Sequence, residues 1–188
     1  MEYSSAHVKV ADLCPMSRGF VKEDDQEEAP FIPPRAALPD GVTNYVTPRG
    51  MRLLLEERTQ LEQDRANATG SDDDRRRAKA EFDGRLALLN ERIVTARPVE
   101  PSDGPPVDVR FGAWVNVAYL NGPQKGSERS FTIVGVDEAS VAEERFAFTA
   151  PIVRGLMGMK VGERTTVQLG PTAQELEVLA IRWPDSED

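Results

Sequence analysis

Two stretches of the chain between residues 47 and 96 carry apolar side chains at helical spacing. The first has charged residues between its apolar positions, which are Met51, Leu54, Leu55 and Leu61. In the second stretch the apolar positions step by four and three, at Ala78, Phe82, Leu86, Leu89 and Ile93. A narrow apolar stripe of this kind is typical of a helix that packs along a single neighbour. The pattern therefore predicts two long helices packed against each other.

Residue types that begin and end helices border the first stretch. Thr47 supplies a side-chain oxygen for an N-cap, and Pro48 presets the backbone of a first helical turn. This helix is predicted to run to about Ala68, because Gly70 then stops it. The connection over residues 68–74 is short, so the second helix must run back antiparallel to the first.

The second helix begins with an acidic turn. Ser71 can cap this helix while Asp74 reaches back to it, and three successive carboxylates suit the positive end of the helix dipole. Pro98 ends the helix. The two helices thus predict a finger-like hairpin with Asp72, Asp73 and Asp74 at its tip.

From residue 111 onward the apolar pattern changes to a period of two, which is typical of strands. Val115, Val117 and Tyr119 alternate with polar or small residues, and Asn121-Gly122 forms a turn before the next apolar run at residues 131–136. Further strands are predicted at residues 145–149, 165–169 and 175–183, with a short helix from Pro151 to Gly158. We therefore predict an α+β protein: a helical hairpin, then a bent antiparallel sheet with one short helix across it.

Composition divides the chain into four parts. Residues 1–44 lack periodicity and combine an acidic run with several prolines, which predicts a disordered tail. This tail either keeps the protein soluble or docks on a basic partner. The hairpin takes residues 45–98, a Pro-rich extended linker residues 99–110, and the sheet domain residues 111–184. A start at Met16 would leave His7 and Cys14 in upstream sequence.

Charge and cysteine content exclude several classes of function. The net charge of −9 argues against free duplex nucleic acid as a direct partner and favours a basic protein surface. One cysteine and one histidine exclude a disulfide framework, a Cys/His zinc site and a histidine-based triad in the ordered region. Since no long apolar run and no signal peptide are found, we expect a cytoplasmic protein that does not bind membranes. We also expect a monomer.

One run near the C-terminus is specific enough to indicate a family. Residues 150–158 read Ala-Pro-Ile-Val-Arg-Gly-Leu-Met-Gly, and Lys160 and Val161-Gly162-Glu163 follow. This run resembles the C-terminal domain of the Gre transcription elongation factors. The hairpin is also similar to theirs, in Thr47 to Gly50 and in Gly84-Arg85-Leu86. The resemblance covers residues 45–184.

The resemblance implies both a fold and a partner. In the Gre family the C-terminal domain has an FKBP-like fold and docks on the rim of the secondary channel of bacterial RNA polymerase. By resemblance, the docking residues here would be Pro151, Ile152, Arg154 and Gly155. The helical finger enters the channel, and its acidic tip holds a second Mg²⁺ ion in the polymerase active site. The polymerase itself then cleaves backtracked RNA, so the factor has no catalytic residues of its own.

The finger of this chain departs from the family pattern. By resemblance, Asp72, Asp73 and Asp74 would hold the shared Mg²⁺. The asparagine and tyrosine of the family's usual tip are missing here, and Arg75, Arg76 and Arg77 follow the aspartates instead. The finger is also roughly 16 residues shorter, which is about 8 per arm or ~12 Å of reach. We therefore expect the protein to occupy the channel and to regulate elongation or compete with other channel factors, with weak or absent cleavage. Strong cleavage stimulation is the alternative.

Simpler interpretations exist for each candidate site. The three aspartates could serve only to cap the helix. The three arginines could form a solvated face that balances them, or they could contact the channel or the 3′ end of the RNA. A proline-isomerase pocket is a remote alternative, because the fold is related to that of prolyl isomerases. Its lining would be Trp114, Tyr119, Phe131, Phe146, Phe148 and Trp183.

Overall fold

A computed structural model describes residues 30–184 of the chain. The acidic run at residues 23–28, His7, Cys14 and the alternative start at Met16 lie outside the described residues. The described part begins with the strap, our name for residues 30–44, which contain neither helix nor strand. A helical hairpin and a five-stranded sheet domain follow it.

The two hairpin helices are α1 (Pro48–Ala66) and α2 (Asp72–Thr95), of 19 and 24 residues. The predicted caps are confirmed: the side chain of Thr47 accepts a hydrogen bond from the backbone N–H of Gly50, and Ser71 and Asp74 form a reciprocal capping box. Gly70 in the turn has φ of 114°, a left-handed backbone that favours glycine. The short turn therefore folds α2 back along α1, as the sequence predicts.

A narrow apolar seam joins the two helices. Its buried members are Val46, Leu54, Leu61, Leu89 and Ala96. Four partly buried residues flank them: Met51, Phe82, Leu86 and Ile93. No helix within residues 30–184 is long and apolar enough to cross a membrane.

The base of the hairpin is closed by two short strands that the sequence analysis did not predict. β1 (Tyr45–Val46) enters the hairpin, β2 (Arg97–Pro98) leaves it, and the two pair in parallel. The predicted linker at residues 99–110 is also tied to the sheet domain, since Val109 is buried and exchanges backbone hydrogen bonds with residues 158 and 159.

The sheet domain contains strands β3 (Trp114–Tyr119), β4 (Glu128–Val134), β5 (Arg145–Ala147), β6 (Arg164–Leu169) and β7 (Thr172–Arg182). Their order in the sheet is β5-β4-β3-β7-β6. Three of the four neighbouring pairs in this order are antiparallel, but β5 runs parallel to β4. The prediction of a wholly antiparallel sheet is therefore wrong at β5, and the sheet is mixed. Instead of a tight hairpin turn, residues 135–144 form a longer connection that contains a 3₁₀ turn at Val141–Glu143 and returns the chain to pair Thr132 with Arg145.

One face of the sheet carries the core of this domain. The predicted short helix is present as α3 (Pro151–Leu156), and it packs on β6 through buried residues Ile152, Val153 and Leu156. The strand residues beneath it include Val115, Val117, Phe131 and Val178. The alternation predicted for β3 is confirmed, because every second side chain of this strand is buried. The fold class is α+β, as predicted.

Candidate functional site

The tip of the hairpin holds the three aspartates in two different states. The Asp74 carboxylate accepts hydrogen bonds from the Ser71 hydroxyl at 2.6 Å and from the Ser71 backbone N–H at 3.2 Å. These hydrogen bonds hold the pKa of Asp74 below its ordinary value, because they favour the charged carboxylate. Asp74 is thus committed to capping α2.

Asp72 and Asp73 are held much more loosely. Their side chains are 90% and 71% exposed, and each pairs with an arginine three residues later on the same helix. The Asp73 carboxylate lies 2.8 Å from the guanidinium of Arg76, and Asp72 contacts Arg75. Exposed ion pairs of this kind contribute about 0–1 kcal/mol each. Both carboxylates can therefore turn toward another cation at little cost.

The tip by itself does not form a complete metal site. Within residues 30–184 there is no group of three or more His, Cys, Asp or Glu side chains placed to hold a metal ion. A Mg²⁺ ion usually keeps several waters and takes only one or two protein carboxylates at a shared site. The chemistry of Asp72 and Asp73 fits such a shared ion, whereas Asp74 is already occupied by Ser71.

Two of the four predicted docking residues on α3 face solvent, and the other two face the sheet domain. Pro151 and Arg154 are exposed, whereas Ile152 is buried in the core of the sheet domain. Gly155 faces β6 so closely that an added Cβ would overlap the side chain of Val167. Ile152 and Gly155 thus hold the helix in place, and only Pro151 and Arg154 can contact a partner directly.

Two exposed apolar residues continue this surface beyond the helix. Met157 and Val161 are 42% and 58% exposed, so Met157 is not the core residue that its apolar character suggests. We call Pro151, Arg154, Met157 and Val161 the α3 surface. Its mixture of apolar groups with one cation is typical of a protein-binding patch.

The aromatic residues of the remote isomerase hypothesis do not share one face of the sheet. Tyr119 and Phe131 are buried in the core, and the Phe131 ring stacks on that of Phe146 at 4.7 Å between centroids. Trp114 lies on the opposite face, under the guanidinium of Arg182. A groove of about 1220 Å³ lies between the strap and α2, and none of the six aromatics lines it.

A joint between the hairpin and the sheet domain was missed in the sequence analysis. Asp137 and Glu138 follow β4 and are nearly buried, with side chains 7% and 2% exposed. Glu138 accepts hydrogen bonds from the Thr47 hydroxyl at 2.5 Å and from the guanidinium of Arg145 at 3.2 Å. A Cβ on Gly50 would lie 2.6 Å from a Glu138 carboxylate oxygen, so the first turn of α1 sits directly on this side chain.

Asp137 connects the other elements of the same joint. One of its carboxylate oxygens accepts a 3.0 Å hydrogen bond from Arg35 of the strap, and the other lies 3.1 Å from Arg92 of α2. No local motif signals this joint, because its partners come from positions 35 to 145. Three aromatic rings add an apolar contact beside it, with centroids 5.7–5.8 Å apart: Tyr45, Phe111 and Phe148.

Comparisons with known proteins agree with this architecture. Residues 105–182 match the family described as "Transcription elongation factor, GreA/GreB, C-term". Transcription elongation factor GreA of Acidiphilium cryptum is 33% identical over 102 residues, which are 54% of this chain and 63% of that protein. GreB of Neisseria meningitidis serogroup A is 29% identical over 157 residues, 74% of this chain and 94% of that protein. The chain thus spans less than two thirds of the first relative and nearly all of the second.

A comparison with solved structures matches GreA factor homolog 1 (Gfh1) of Thermus thermophilus, 20% identical, with a TM-score of 0.35 over 75% of this chain and 99% of that one. The GreA/GreB factor of Nitrosomonas europaea is 17% identical, with a TM-score of 0.36 over 76% and 99%. The family match covers all five strands of the sheet domain and α3, and the match to GreB extends beyond it. The sheet domain of this chain thus matches the C-terminal domain of the GreA/GreB transcription elongation factors, and most of the chain is similar in sequence to such a factor.

Proposed function

We propose that this protein binds bacterial RNA polymerase at the rim of its secondary channel and inserts the hairpin into that channel. It then regulates elongation as a channel occupant, with weak or absent stimulation of RNA cleavage. The observation that carries the proposal is the separation of two surfaces: the α3 surface on the sheet domain and an acidic tip at the far end of a helical hairpin. Docking and insertion therefore use different parts of the molecule.

Docking through the α3 surface is supported by its exposed groups. Met157 and Val161 supply exposed apolar area, and Arg154 supplies a cation at the exposed side of α3. Burying such apolar groups against a partner contributes about 25 cal/mol per Å². The cation fixes the orientation of the partner and selects an acidic one.

In this proposal the aspartates of the tip have a role that is secondary to occupation of the channel. Asp72 and Asp73 are the two side chains that would take a share of a Mg²⁺ ion, and such an ion would stabilise developing charge on an RNA phosphate. Asp74 would keep the end of α2 folded through Ser71. Arg75 and Arg76, each already paired with an aspartate, would be released to contact RNA or the channel wall when those carboxylates turn away.

The length of the hairpin argues against strong cleavage. A helix of 24 residues measures about 36 Å, and the missing ~12 Å relative to the family pattern exceeds by far the ~3 Å range of a metal–ligand contact. Side-chain rotation cannot make up that distance. Occupation of the channel by a body of folded protein needs no such contact, so channel blocking or competition with other channel factors is the function that the hairpin supports best.

Two assays with the full chain and the core polymerase of the same bacterium test this proposal. In a pull-down, Arg154→Glu should weaken binding by about tenfold or more, because it reverses the charge at the centre of the α3 surface. Lys125→Glu makes the same charge change in the exposed β3–β4 turn and should leave binding unchanged. Equal binding by Arg154→Glu and wild type, with both folded, would place the interface elsewhere.

The second assay measures release of short 3′ RNA from a stalled elongation complex. The double variant Asp72→Asn, Asp73→Asn leaves the capping box of Ser71 and Asp74 in place, so it changes only the two loosely held carboxylates. We expect little cleavage with wild type and nearly the same elongation rate with both proteins. Strong cleavage that disappears in the double variant would contradict the short-finger argument and make these aspartates the functional tip.

A further inference from the structure

The strap crosses the gap between the hairpin and the sheet domain and contacts both. Its residue Arg35 donates two hydrogen bonds to the carboxylate of Glu57 on α1, at 2.8 and 3.0 Å. The Nε of the same guanidinium donates to Asp137 of the sheet domain at 3.0 Å. Arg35 is only 19% exposed, so it lies between the two bodies and links them.

Further contacts fix the path of the strap along the hairpin. The side chain of Ile32 fills the space beside Gly84, where an added Cβ would overlap it. The carbonyl of Ala36 accepts a hydrogen bond from Arg92 on α2, and the amide of Asn44 donates to the backbone carbonyl of residue 92 at 2.9 Å. The strap thus contacts α2 from about its middle to its end.

The contact between Arg35 and Glu57 lies well above the base of the hairpin. Glu57 is nine residues beyond the first residue of α1, which places it about 14 Å above the base. The Thr47–Glu138 hydrogen bond and the Arg92–Asp137 ion pair hold the hairpin to the sheet domain near its base. Contacts at the base alone would let the hairpin tilt relative to the sheet domain. The strap adds a second contact farther along the hairpin, and this contact restricts the tilt.

The length of the hairpin makes this support important. Because α2 is about 36 Å long, a tilt of about 10° at the base would move the tip by about 6 Å. That displacement is larger than the ~3 Å range of a contact between the tip and a metal ion or a hydrogen-bond partner. Any function that needs the tip and the α3 surface at fixed relative positions therefore depends on a stiff joint.

We propose that Arg35 is a positioning residue: through Glu57 and Asp137 it makes the strap a brace that fixes the direction of the hairpin relative to the sheet domain. This inference deepens the proposed function and rests on it for its biological role. The brace itself is a property of the free protein. It can therefore be tested without the polymerase.

The test measures the distance between the tip and the sheet domain by pulsed electron paramagnetic resonance. Nitroxide labels are attached to cysteines introduced at Thr69 in the tip and Gln124 in the β3–β4 turn, both exposed, with Cys14→Ser to remove the native thiol. Arg35→Met removes the guanidinium but keeps an aliphatic stem of similar length. Arg58→Met is the matched control, because within residues 30–184 the ion pair of Arg58 is with Glu62 of its own helix, at 4.0 Å.

We expect one narrow distance distribution for wild type and Arg58→Met, and a distribution at least about twice as wide for Arg35→Met. Glu57→Gln, which weakens the α1 end of the bridge, should also broaden the distribution. If Arg35→Met fails to fold, Glu57→Gln decides the question, since Glu57 is partly exposed. Wild-type width in the folded variants would overturn the brace, even if their melting temperatures fell, because a purely stabilising contact changes only the latter.

Polymerase binding of the same proteins separates the two proposals. Broad distances in Arg35→Met together with weaker regulation of the polymerase by this variant than by wild type support both the brace and its role. If wild type does not bind the polymerase, the proposed function fails while the distance result still decides the brace. A braced hairpin whose loosening leaves polymerase regulation unchanged would overturn the functional role assigned to the brace.

Discussion

The carboxylate of Glu138 and the hydroxyl of Thr47 lie 2.5 Å apart, and they join the sheet domain to the first turn of α1. The same hydroxyl accepts the N–H of Gly50 at 2.8 Å. It therefore caps the helix and donates to the neighbouring domain at once. The N-cap of α1 and the joint thus share one hydroxyl group. A substitution that disrupts the cap should therefore also weaken the joint, and the reverse should hold as well.

Glu138→Ala is expected to destabilise the protein by about 3–5 kcal/mol. The substitution removes a nearly buried carboxylate and leaves the guanidinium of Arg145, 8% exposed, without its closest partner in the joint. Urea denaturation followed by circular dichroism measures the loss. Glu143→Ala is a close control, because Glu143 pairs with the same arginines, Arg49 and Arg145, but is 56% exposed. It should cost at most about 1 kcal/mol. Equal losses for the two variants would show that burial of Glu138 does not matter.

Leu89→Ala should destabilise the hairpin by about 2–5 kcal/mol. Leu89 is fully buried in the seam between α1 and α2, and truncation there leaves a cavity that the helices cannot fully close. Hydrogen exchange of amides in α1 and α2 reports the loss locally. Leu53→Ala, at a position 39% exposed, should leave the exchange rates nearly unchanged. Undiminished protection in Leu89→Ala would mean that the seam does not hold the hairpin together.

The pKa of Asp74 should rise toward its ordinary value in Ser71→Ala. In the native protein the Ser71 hydroxyl and backbone N–H lower the pKa of this carboxyl, and the hydroxyl is the larger cause. Because the pKa is lower in the folded state than in the unfolded state, the stabilisation is fully present above the unfolded pKa. It is lost as the pH falls through the folded pKa, so the cap weakens only in acid, below an ordinary value of 3.8.

Carboxyl carbon shifts of Asp74 in an NMR titration measure this pKa directly. An Asp74 midpoint that does not move in the variant would exclude the capping box as the cause of the lowered pKa.

Local rules were sufficient to predict the hairpin from the sequence. Thr47 and Ser71 each lie next to the groups they cap, and the apolar seam repeats within single helices, so every signal lies within a few residues. The alternation in β3 is equally local. These features required no knowledge of the tertiary structure.

The joint could not be predicted in this way. Arg35 and Asp137 are 102 residues apart in sequence, and nothing near Arg35 distinguishes it from a solvated cation in a Pro-rich tail. The parallel pairing of β5 with β4 also depends on the path of a connection rather than on strand pattern. On α3, sequence similarity selected four docking residues. Only the fold separates the exposed Pro151 and Arg154 from Ile152 and Gly155, which hold the helix in place.

The parallel pairing of β1 with β2 brings the two ends of the hairpin together. Tyr45 pairs with Arg97 and Val46 with Pro98, so the chain leaves and rejoins the body of the protein at neighbouring points. Equal numbers of helical turns can then be added to or removed from both arms without moving either end. Each pair of added turns would extend the reach by about 5.4 Å. The length of the finger can thus change in evolution without a change in the sheet domain that carries it.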